Sequence, residues 1–589
     1  MMELSRVPGQ GLVFELDRLQ TRTKRCRIRA DIDTVQPENQ DLTVHKDPPP
    51  SFSEPNVMRV CLLTLLLFTA GSTVRGEDVF LTIGGGYNAQ GNQISLEKNV
   101  QLYQRMLEED YGADVRHDVY FADGISPGRD LQFVDPGEKI PRALRLLAEL
   151  HDQDAGIDYQ YRSHLVSDVT GPSARAGLEK WFRETGSTLK EGDRLFVYIT
   201  AHGGRSTDKE QPHDTLLYLW NRQTIRMHDL STLLDQVSPD VPVIMVMVQC
   251  YSGGFAHTIF DAGKTENGMA ACNRCGFFAT VHDRVAAGCT PDINEANYRE
   301  YSTYFFEARR GRTRFDAPVP QPDYDGDGLT SLAEAHASVI LASVTIDIPV
   351  CTSDAFLREF SITKRDESGD GETAESDAAA STEGGSTAED VGGQLNADAY
   401  ELLTADSPYD VLTADADAIE MAVIDGLSAE LEITGSNRAA AARAKAQEFQ
   451  KRKNELQKDR RKLQGEYNGI RGQIKRRVLA RWPELNNRWH PVTVDVLANH
   501  ADELVDLIES TPRFERFEEL RGQLDDLDEA KFDQERQWVK TQRLLRALET
   551  RALAANLPYV ASQDDVDRFN ALRAAEQAHF GPNGPELLD

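Results

Sequence analysis

The chain has 589 residues, which predicts two to four structural units at about 100–200 residues per domain. Hydrophobic residues make up 40% of the chain and aromatic residues 8%, so disorder throughout is excluded. The formal charge is −31, which argues against a general nucleic-acid-binding protein because phosphates would be repelled. No apolar run reaches the roughly 18–20 residues that cross a membrane, so we expect no integral membrane span in the mature chain.

A secretory signal pattern begins at Met58. Met58 and Arg59 precede an apolar stretch over residues 60–70, and small residues follow it. This order is typical of a signal peptide, which we place at residues 58–76, so the protein is expected to be secreted or periplasmic. Residues 1–57 are then a mis-assigned start or a disordered extension. The alternative is a genuine extension with a buried helix.

Between residues 77 and 362, apolar runs alternate with helical patterns. The strand-like runs cover residues 79–83, 115–121, 195–200, 216–220, 243–248 and 276–281. The helical patterns cover residues 95–107, 173–185 and 228–237. This alternation predicts one α/β domain with a mostly parallel sheet.

The net charge is concentrated beyond this domain. Residues 366–437 contain 19 acidic residues and no Lys or Arg, whereas residues 438–477 contain 14 basic and 4 acidic residues. We interpret residues 363–437 as an acidic linker, because its first part is rich in Ser, Gly, Ala and Thr. Apolar residues return between 400 and 433, where weak structure or a docking segment is the alternative.

The C-terminal region, residues 438–589, has a helical pattern. Phe449, Leu456, Leu463 and Ile470 recur every seven residues, and residues 514–553 form a second long helical stretch. A helical hairpin or short coiled coil is predicted, with self-association or partner association through its helices. The basic stretch 451–477 is typical of a solvated helix face, and binding of an anionic polymer is the alternative.

Five cysteines follow the predicted signal peptide. In an oxidising compartment Cys272, Cys275, Cys289 and Cys351 are enough for two disulfides if Cys250 is a free thiol. The sequence does not select among the pairings. The spacing Cys272-x-x-Cys275 also begins a zinc-site pattern, but no second close pair follows it.

Two predicted strands end in residues with catalytic chemistry. The strand at 195–200 is followed by Ala-His-Gly-Gly (201–204), and the strand at 243–248 by Gln-Cys-Tyr-Ser-Gly-Gly (249–254). If the strands are parallel neighbours, His202 and Cys250 meet at one sheet edge, where α/β proteins place their active sites. Such a pair supplies a nucleophile and its base, and the N–H groups of Gly203 and Cys250 are candidates for an oxyanion hole. A single His or Cys at a strand end is more often a packing residue.

These two motifs, with their order and spacing, resemble those of the caspase–legumain clan of cysteine peptidases, nearest to bacterial caspase-like or legumain-like (C13-type) members. The resemblance covers about residues 78–360. It implies a caspase-like α/β/α sandwich with His202 and Cys250 as the catalytic dyad. Legumains also place an Asn after the first strand to orient the His, and Asn88 is the nearest candidate. Val248 occupies the position where many members carry an acidic residue or Gln, so neither a basic nor an Asp cleavage preference is implied.

A second motif lies at residues 323–334, and it resembles an EF-hand or dockerin-type calcium loop. Asp323, Asp325, Asp327 and Glu334 occupy the carboxylate positions of such a loop. The remaining ligands are the Leu329 carbonyl and Ser331, and Gly328, at the sixth position of the loop, permits the sharp turn. We therefore predict one structural Ca²⁺ site. The alternative is an acidic turn that caps the helix after Ser331.

The leading hypothesis is a cysteine-type endopeptidase that cleaves polypeptides through a thioester intermediate and needs no cofactor for its chemistry. The alternative is an inactive caspase-like module that acts as an interaction scaffold through its helical tail. A third hypothesis, a calcium-dependent surface adhesion or scaffold protein, depends on the single calcium loop.

Overall fold

The computed structural model describes residues 76–363 and 401–581. The predicted extension, nearly all of the predicted signal peptide and the first part of the predicted acidic linker lie outside these residues. Within the described ranges, no helix is both long enough and apolar enough to cross a membrane.

A nine-stranded sheet in the order β11-β10-β9-β6-β1-β2-β5, with β7 and β8 attached through β6, forms the centre of the first described range. Its strands are β1 (Asp78–Gly85), β2 (His117–Phe121), β5 (Val169–Gly171), β6 (Arg194–Gly204), β7 (Leu216–Leu219), β8 (Gln223–Arg226), β9 (Val243–Met247), β10 (Arg274–Phe278) and β11 (Val350–Cys351), while β3 (Leu131–Phe133) and β4 (Gln160–Arg162) form a separate pair. The strands from β10 to β5 pair in parallel, and β7, β8 and β11 pair antiparallel. The predicted mixed α/β fold with a mostly parallel sheet is confirmed.

Helices cover both faces of this sheet. The helices of this range are α1 (Ile94–Tyr111), α2 (Arg142–Leu150), α3 (Arg175–Glu184), α4 (Met227–Leu234), α5 (Tyr301–Arg310), α6 (Leu332–Ala342) and α7 (Thr352–Phe360). Of these, α2 packs with helices of the second described range and not on the sheet. Leu178 of α3 and Leu230 of α4 belong to the core on one face, and Leu102 of α1 and Phe305 of α5 to the core on the other. Two buried faces explain why the central strands are almost continuously apolar in sequence.

The second described range is helical. Its helices are α8 (Tyr409–Leu412), α9 (Ala418–Glu430), α10 (Arg438–Arg481), α11 (Pro491–Asn499), α12 (Ala501–Glu509), α13 (Phe514–Val560) and α14 (Gln563–Glu576). The long helices α10 and α13 run antiparallel, because Arg460 bonds Asp528 and Tyr467 stacks on Phe517. This confirms the predicted helical hairpin.

The end of α13 joins the hairpin to the sheet. Leu553 and Leu557 belong to the same core cluster as Phe196 of β6. The hairpin therefore packs as part of the folded body and does not extend from it as a separate tail.

In the described part of residues 363–437 the linker interpretation does not hold, and the alternative of a structured segment does. Helix α9 packs in one core cluster with α6 and α13, through Leu427, Ala337 and Leu548. Asp417 caps α9 and pairs with Arg573 of α14. Several of the acidic side chains in residues 401–437 therefore have partners in the folded structure, which the charge count alone did not reveal.

The predicted disulfides are wrong for the described residues. None of the five cysteines there forms a disulfide. Cys272 and Cys275 lie in core clusters on opposite faces of the sheet, so the two thiols of this pair are separated by the strand itself. Burial raises the pKa of both thiols, which keeps them in the neutral form that packs as an apolar side chain.

Candidate active site

The ends of β6 and β9 bring His202 and Cys250 to the same edge of the sheet. The two strands pair in parallel with Ile199 opposite Met247, and each of the two residues lies three positions beyond that pair. This confirms the predicted adjacency of the two strands. The two segments also lie close together beyond the strand ends: a Cβ added at Gly203 would lie 1.9 Å from the carbonyl oxygen of Cys250.

The His202 ring is held by the loop that follows β1. Its Nε2 atom lies 2.7 Å from the carbonyl oxygen of Gly91 and 2.9 Å from Oε1 of Gln93. Because both partners are acceptors, Nε2 carries the proton and Nδ1 is the basic nitrogen of the neutral ring. Burial lowers the pKa of His202, against an opposing effect of the Gly91 hydrogen bond, so the neutral ring is favoured.

Asn88 is connected to His202 through Gly91. It caps a short 3-10 turn (Ala89–Gly91), and its side chain accepts a hydrogen bond of 2.9 Å from the Gly91 N–H. Asn88 therefore fixes the turn that presents the Gly91 carbonyl. Gln93, whose side chain contacts the imidazole, was not singled out by the sequence, since nothing in its local pattern distinguishes it from a helix-flanking polar residue.

The Cys250 thiol lies against the loop after β10. Its Sγ accepts a hydrogen bond of 3.3 Å from the N–H of Ala286. The next residue, Tyr251, has a φ of 62° and donates its N–H to the carbonyl of Arg284 at 2.8 Å. A backbone donor at a sulfur atom favours its thiolate form.

The predicted oxyanion-hole residues lie in crowded surroundings. Gly203 is opposite Leu217 in the β6–β7 ladder, and a Cβ on it would also lie 2.8 Å from Cγ of Gln249. Only glycine fits where β6 passes the Cys250 carbonyl. The N–H of Cys250 lies at the turn after β9, where the next residue, Tyr251, has a φ of 62°.

Two tyrosines complete the surroundings of His202 and Cys250. The ring of Tyr87 meets the His202 ring edge-on at 5.3 Å and the Tyr218 ring at 5.9 Å. Tyr218 is the ladder partner of His202, and burial, together with the nearby Cys250, raises its pKa. Neither tyrosine was identified from the sequence, because each lies in a segment with no motif of its own.

The calcium loop has part of the predicted arrangement. Carboxylate oxygens of Asp323, Asp325 and Asp327 lie within 4.8 Å of one another, and Gly328 has a φ of 85°. The carboxylate of Glu334 instead accepts from Ser331 N at 2.8 Å as part of a capping box for α6. The three exposed aspartates offer carboxylate oxygens, the ligands that Ca²⁺ prefers. Ser331 and Glu334 cap α6, as the alternative prediction of a helix-capping turn expects.

A further polar group, Asp123, Asp130 and His164, lies beyond the carboxyl end of β2. Their potential ligand atoms are within 4.8 Å of one another. Both His164 nitrogens have hydrogen-bond partners, Gly124 O at 2.7 Å and Val166 N at 3.3 Å. His164 is thus occupied in holding its own loop.

Comparisons with known proteins identify no family. No family model matches the chain, and no curated protein matches its sequence. Among solved structures, a protein of Geobacter sulfurreducens from a structural-genomics programme matches at 10% identity, over 47% of this chain and 92% of its own, with a TM-score of 0.27. A similarity this weak gives no argument about function.

Proposed function

We propose that the protein is a cysteine endopeptidase with Cys250 as nucleophile and His202 as base. The observation that supports this proposal is the position of the two residues beyond paired strands, with Nε2 of His202 held by two acceptors and Nδ1 left as the basic nitrogen. The resemblance of both motifs to those of caspase–legumain peptidases points to the same chemistry.

In this proposal Nδ1 of His202 takes the thiol proton of Cys250, and the resulting thiolate attacks the carbonyl carbon of the scissile peptide bond. The resulting oxyanion is bound by the N–H groups of Gly203 and Cys250. His202 gives a proton to the amine as the C–N bond breaks, which leaves a thioester on Cys250. Water then attacks the thioester, His202 takes its proton, and the carboxylic acid leaves with the thiolate restored.

The test compares two thiols at the same sheet edge in the full chain. Cys289 lies 3.9 Å from the carbonyl of Ala201 and serves as the control. We expect Cys250→Ser to reduce cleavage of a fluorogenic peptide panel by at least about a thousandfold, and Cys289→Ser to keep most of it. Peptide cleavage by the Cys250→Ser protein would refute the assignment. Absence of both cleavage and iodoacetamide labelling of Cys250 would instead support the interaction-module alternative.

We also propose one structural calcium ion at residues 323–334. The convergence of Asp323, Asp325 and Asp327 supports it. Calcium at about one hundred times its dissociation constant is expected to add about 2.7 kcal/mol of stability. The measurement is thermal unfolding with calcium or magnesium, with Asp325→Asn as the variant. Equal melting temperatures with and without calcium in the unaltered chain would remove the ion from the proposal.

A further inference from the structure

Residues 281–289, called here the active-site loop, follow β10 and define the surroundings of the Cys250 thiol. The Ala286 N–H points to the sulfur atom at 3.3 Å, and the Arg284 carbonyl accepts from Tyr251 N at 2.8 Å. Cys289 contacts the carbonyl of Ala201, the residue before His202. The surroundings of the Cys250 thiol therefore depend on where this loop lies.

The active-site loop is attached to the C-terminal hairpin through an ion pair. Nη2 of Arg284 lies 2.8 Å from Oε1 of Glu535 on α13, and the second oxygen of Glu535 bonds Lys453 on α10. The Arg284 guanidinium also lies over the Trp538 ring at 5.0 Å. Glu535 is 17% exposed and Arg284 22%, so water screens the pair only in part.

A second contact from the hairpin fixes the other half of the loop. Ala287 packs with Val539 of α13, and its N–H donates to Asp347 at 2.6 Å. Arg543, one helical turn further along α13, donates to the carbonyl of Asp347 at 2.8 Å. Helix α13 thus supports the residues immediately before and after Ala286.

We propose that Glu535 is a positioning residue for Cys250, acting through Arg284 to hold the Ala286 N–H at the sulfur. This inference rests on the proposed function for its consequence in catalysis, although the geometry at the thiol does not depend on peptidase activity. In that case the hairpin contributes to the active site. A substitution at Glu535 on α13 changes the reactivity of Cys250 although Glu535 does not contact the substrate.

The physical reason is the stabilisation of the thiolate by a backbone donor. If the active-site loop moves, Cys250 loses a hydrogen bond to its charged form, and the thiol then ionises at higher pH. A shift of about one pH unit lowers the thiolate fraction about tenfold at a fixed pH below the midpoint.

The experiment measures alkylation of Cys250 by iodoacetamide against pH in the full chain, read by mass spectrometry of the Cys250 peptide. Glu535→Gln is the test variant, because it preserves shape and removes the charge. Asp528→Asn is the matched control: Asp528 also joins α13 to α10, through Arg460, and is 7% exposed. We expect alkylation to be about tenfold slower at pH 7 in Glu535→Gln, with the pH midpoint raised by about one unit, and unchanged in Asp528→Asn.

A double-mutant cycle tests the route through Arg284. Arg284→Gln is expected to give the same shift, and the double variant no larger shift, since both changes break one interaction. Hydrogen exchange of residues 281–289 should quicken in each. An unchanged pH midpoint in both Glu535→Gln and Arg284→Gln overturns the inference, even if their melting temperatures fall.

These readouts separate the inference from the proposed function. A raised midpoint in a chain that cleaves no peptide supports the positioning role and refutes the peptidase. Peptide cleavage with an unchanged midpoint refutes the positioning role alone.

Discussion

Strand β6 has seven consecutive buried residues before His202, whereas the 44-residue helix α10 has seven buried residues in all. At the sheet edge, Gly203 lies so close to the Cys250 carbonyl that no larger residue fits in its place. Between the hairpin helices, charged side chains such as Arg460 and Asp528 meet and remain partly solvated. We therefore expect substitutions at the sheet edge to lower the stability of the fold, and most substitutions on the hairpin to change it little.

Helix α13 is the exception, because part of it reaches the sheet domain. Arg543 is 2% exposed and donates to the carbonyl oxygens of Ile340, Ser343 and Asp347. These carbonyls end α6 and form the segment after it, and Arg543 satisfies them in place of water.

The largest loss of stability is expected from Arg543→Leu. It leaves buried carbonyl oxygens without a donor, which should lower the free energy of unfolding by roughly 3–5 kcal/mol. The comparison variant, Arg452→Leu, removes an exposed arginine of α10 that pairs with Glu455 at 3.3 Å, and should change it by at most about 1 kcal/mol. Urea unfolding of both variants measures the difference. Similar losses in the two would contradict the distinction between the two kinds of hairpin position.

Next in size is a pair of glycine substitutions. Gly203→Ala places a methyl group 1.9 Å from the Cys250 carbonyl, and should cost about 1–3 kcal/mol and abolish any peptide cleavage. Gly465→Ala on α10 meets nothing within 4 Å and should stabilise the chain by about 0.5–1 kcal/mol. Thermal unfolding and peptide cleavage are the measurements. A stable, active Gly203→Ala protein would show that the sheet edge is less crowded than described.

The smallest effect concerns pH. The rings of His213 and His257 stack at 3.8 Å, and His282 lies 4.2 Å from His213. The three are on segments that pack around the Cys250 turn. Burial lowers the pKa of His257 to about 3, and burial and neighbouring charges lower that of His213 and His282.

A pKa lowered on folding means that the fold favours the neutral ring. Its contribution to stability is complete above the unfolded-state pKa of about 6.5 and is lost as the pH falls towards 3. Each such histidine should add up to about 1.4 kcal/mol per pH unit to the slope of the free energy of unfolding in that window. His257→Phe should remove one such contribution. Phe260→Leu, a neighbouring packing change, is the control and should lower the free energy of unfolding equally at each pH. Equal slopes of the free energy of unfolding against pH in His257→Phe and the unaltered chain would refute the assignment.

Much of the fold follows from local patterns. Sequence patterns predict the strands at 195–200 and 243–248 and the long helices after residue 438 near their observed bounds. Continuous apolar runs and helical periodicity are visible in the order of side-chain types. The short strands β3, β5 and β11 were missed, since two or three residues carry no period. In residues 401–437 the returning apolar residues indicated the structured alternative, but acidic composition does not tell which arginine lies opposite each carboxylate.

The sequence by itself determined the pair His202 and Cys250, the glycines that follow them (Gly203 and Gly253), and the sheet that carries them. Only the tertiary structure decided what holds them: the carbonyl of Gly91, 111 positions from His202, and the N–H of Ala286, with Glu535 behind the active-site loop. The reason is physical. Backbone donors and acceptors are the same at nearly every residue, so their use is invisible in a sequence until the fold brings them to a side chain.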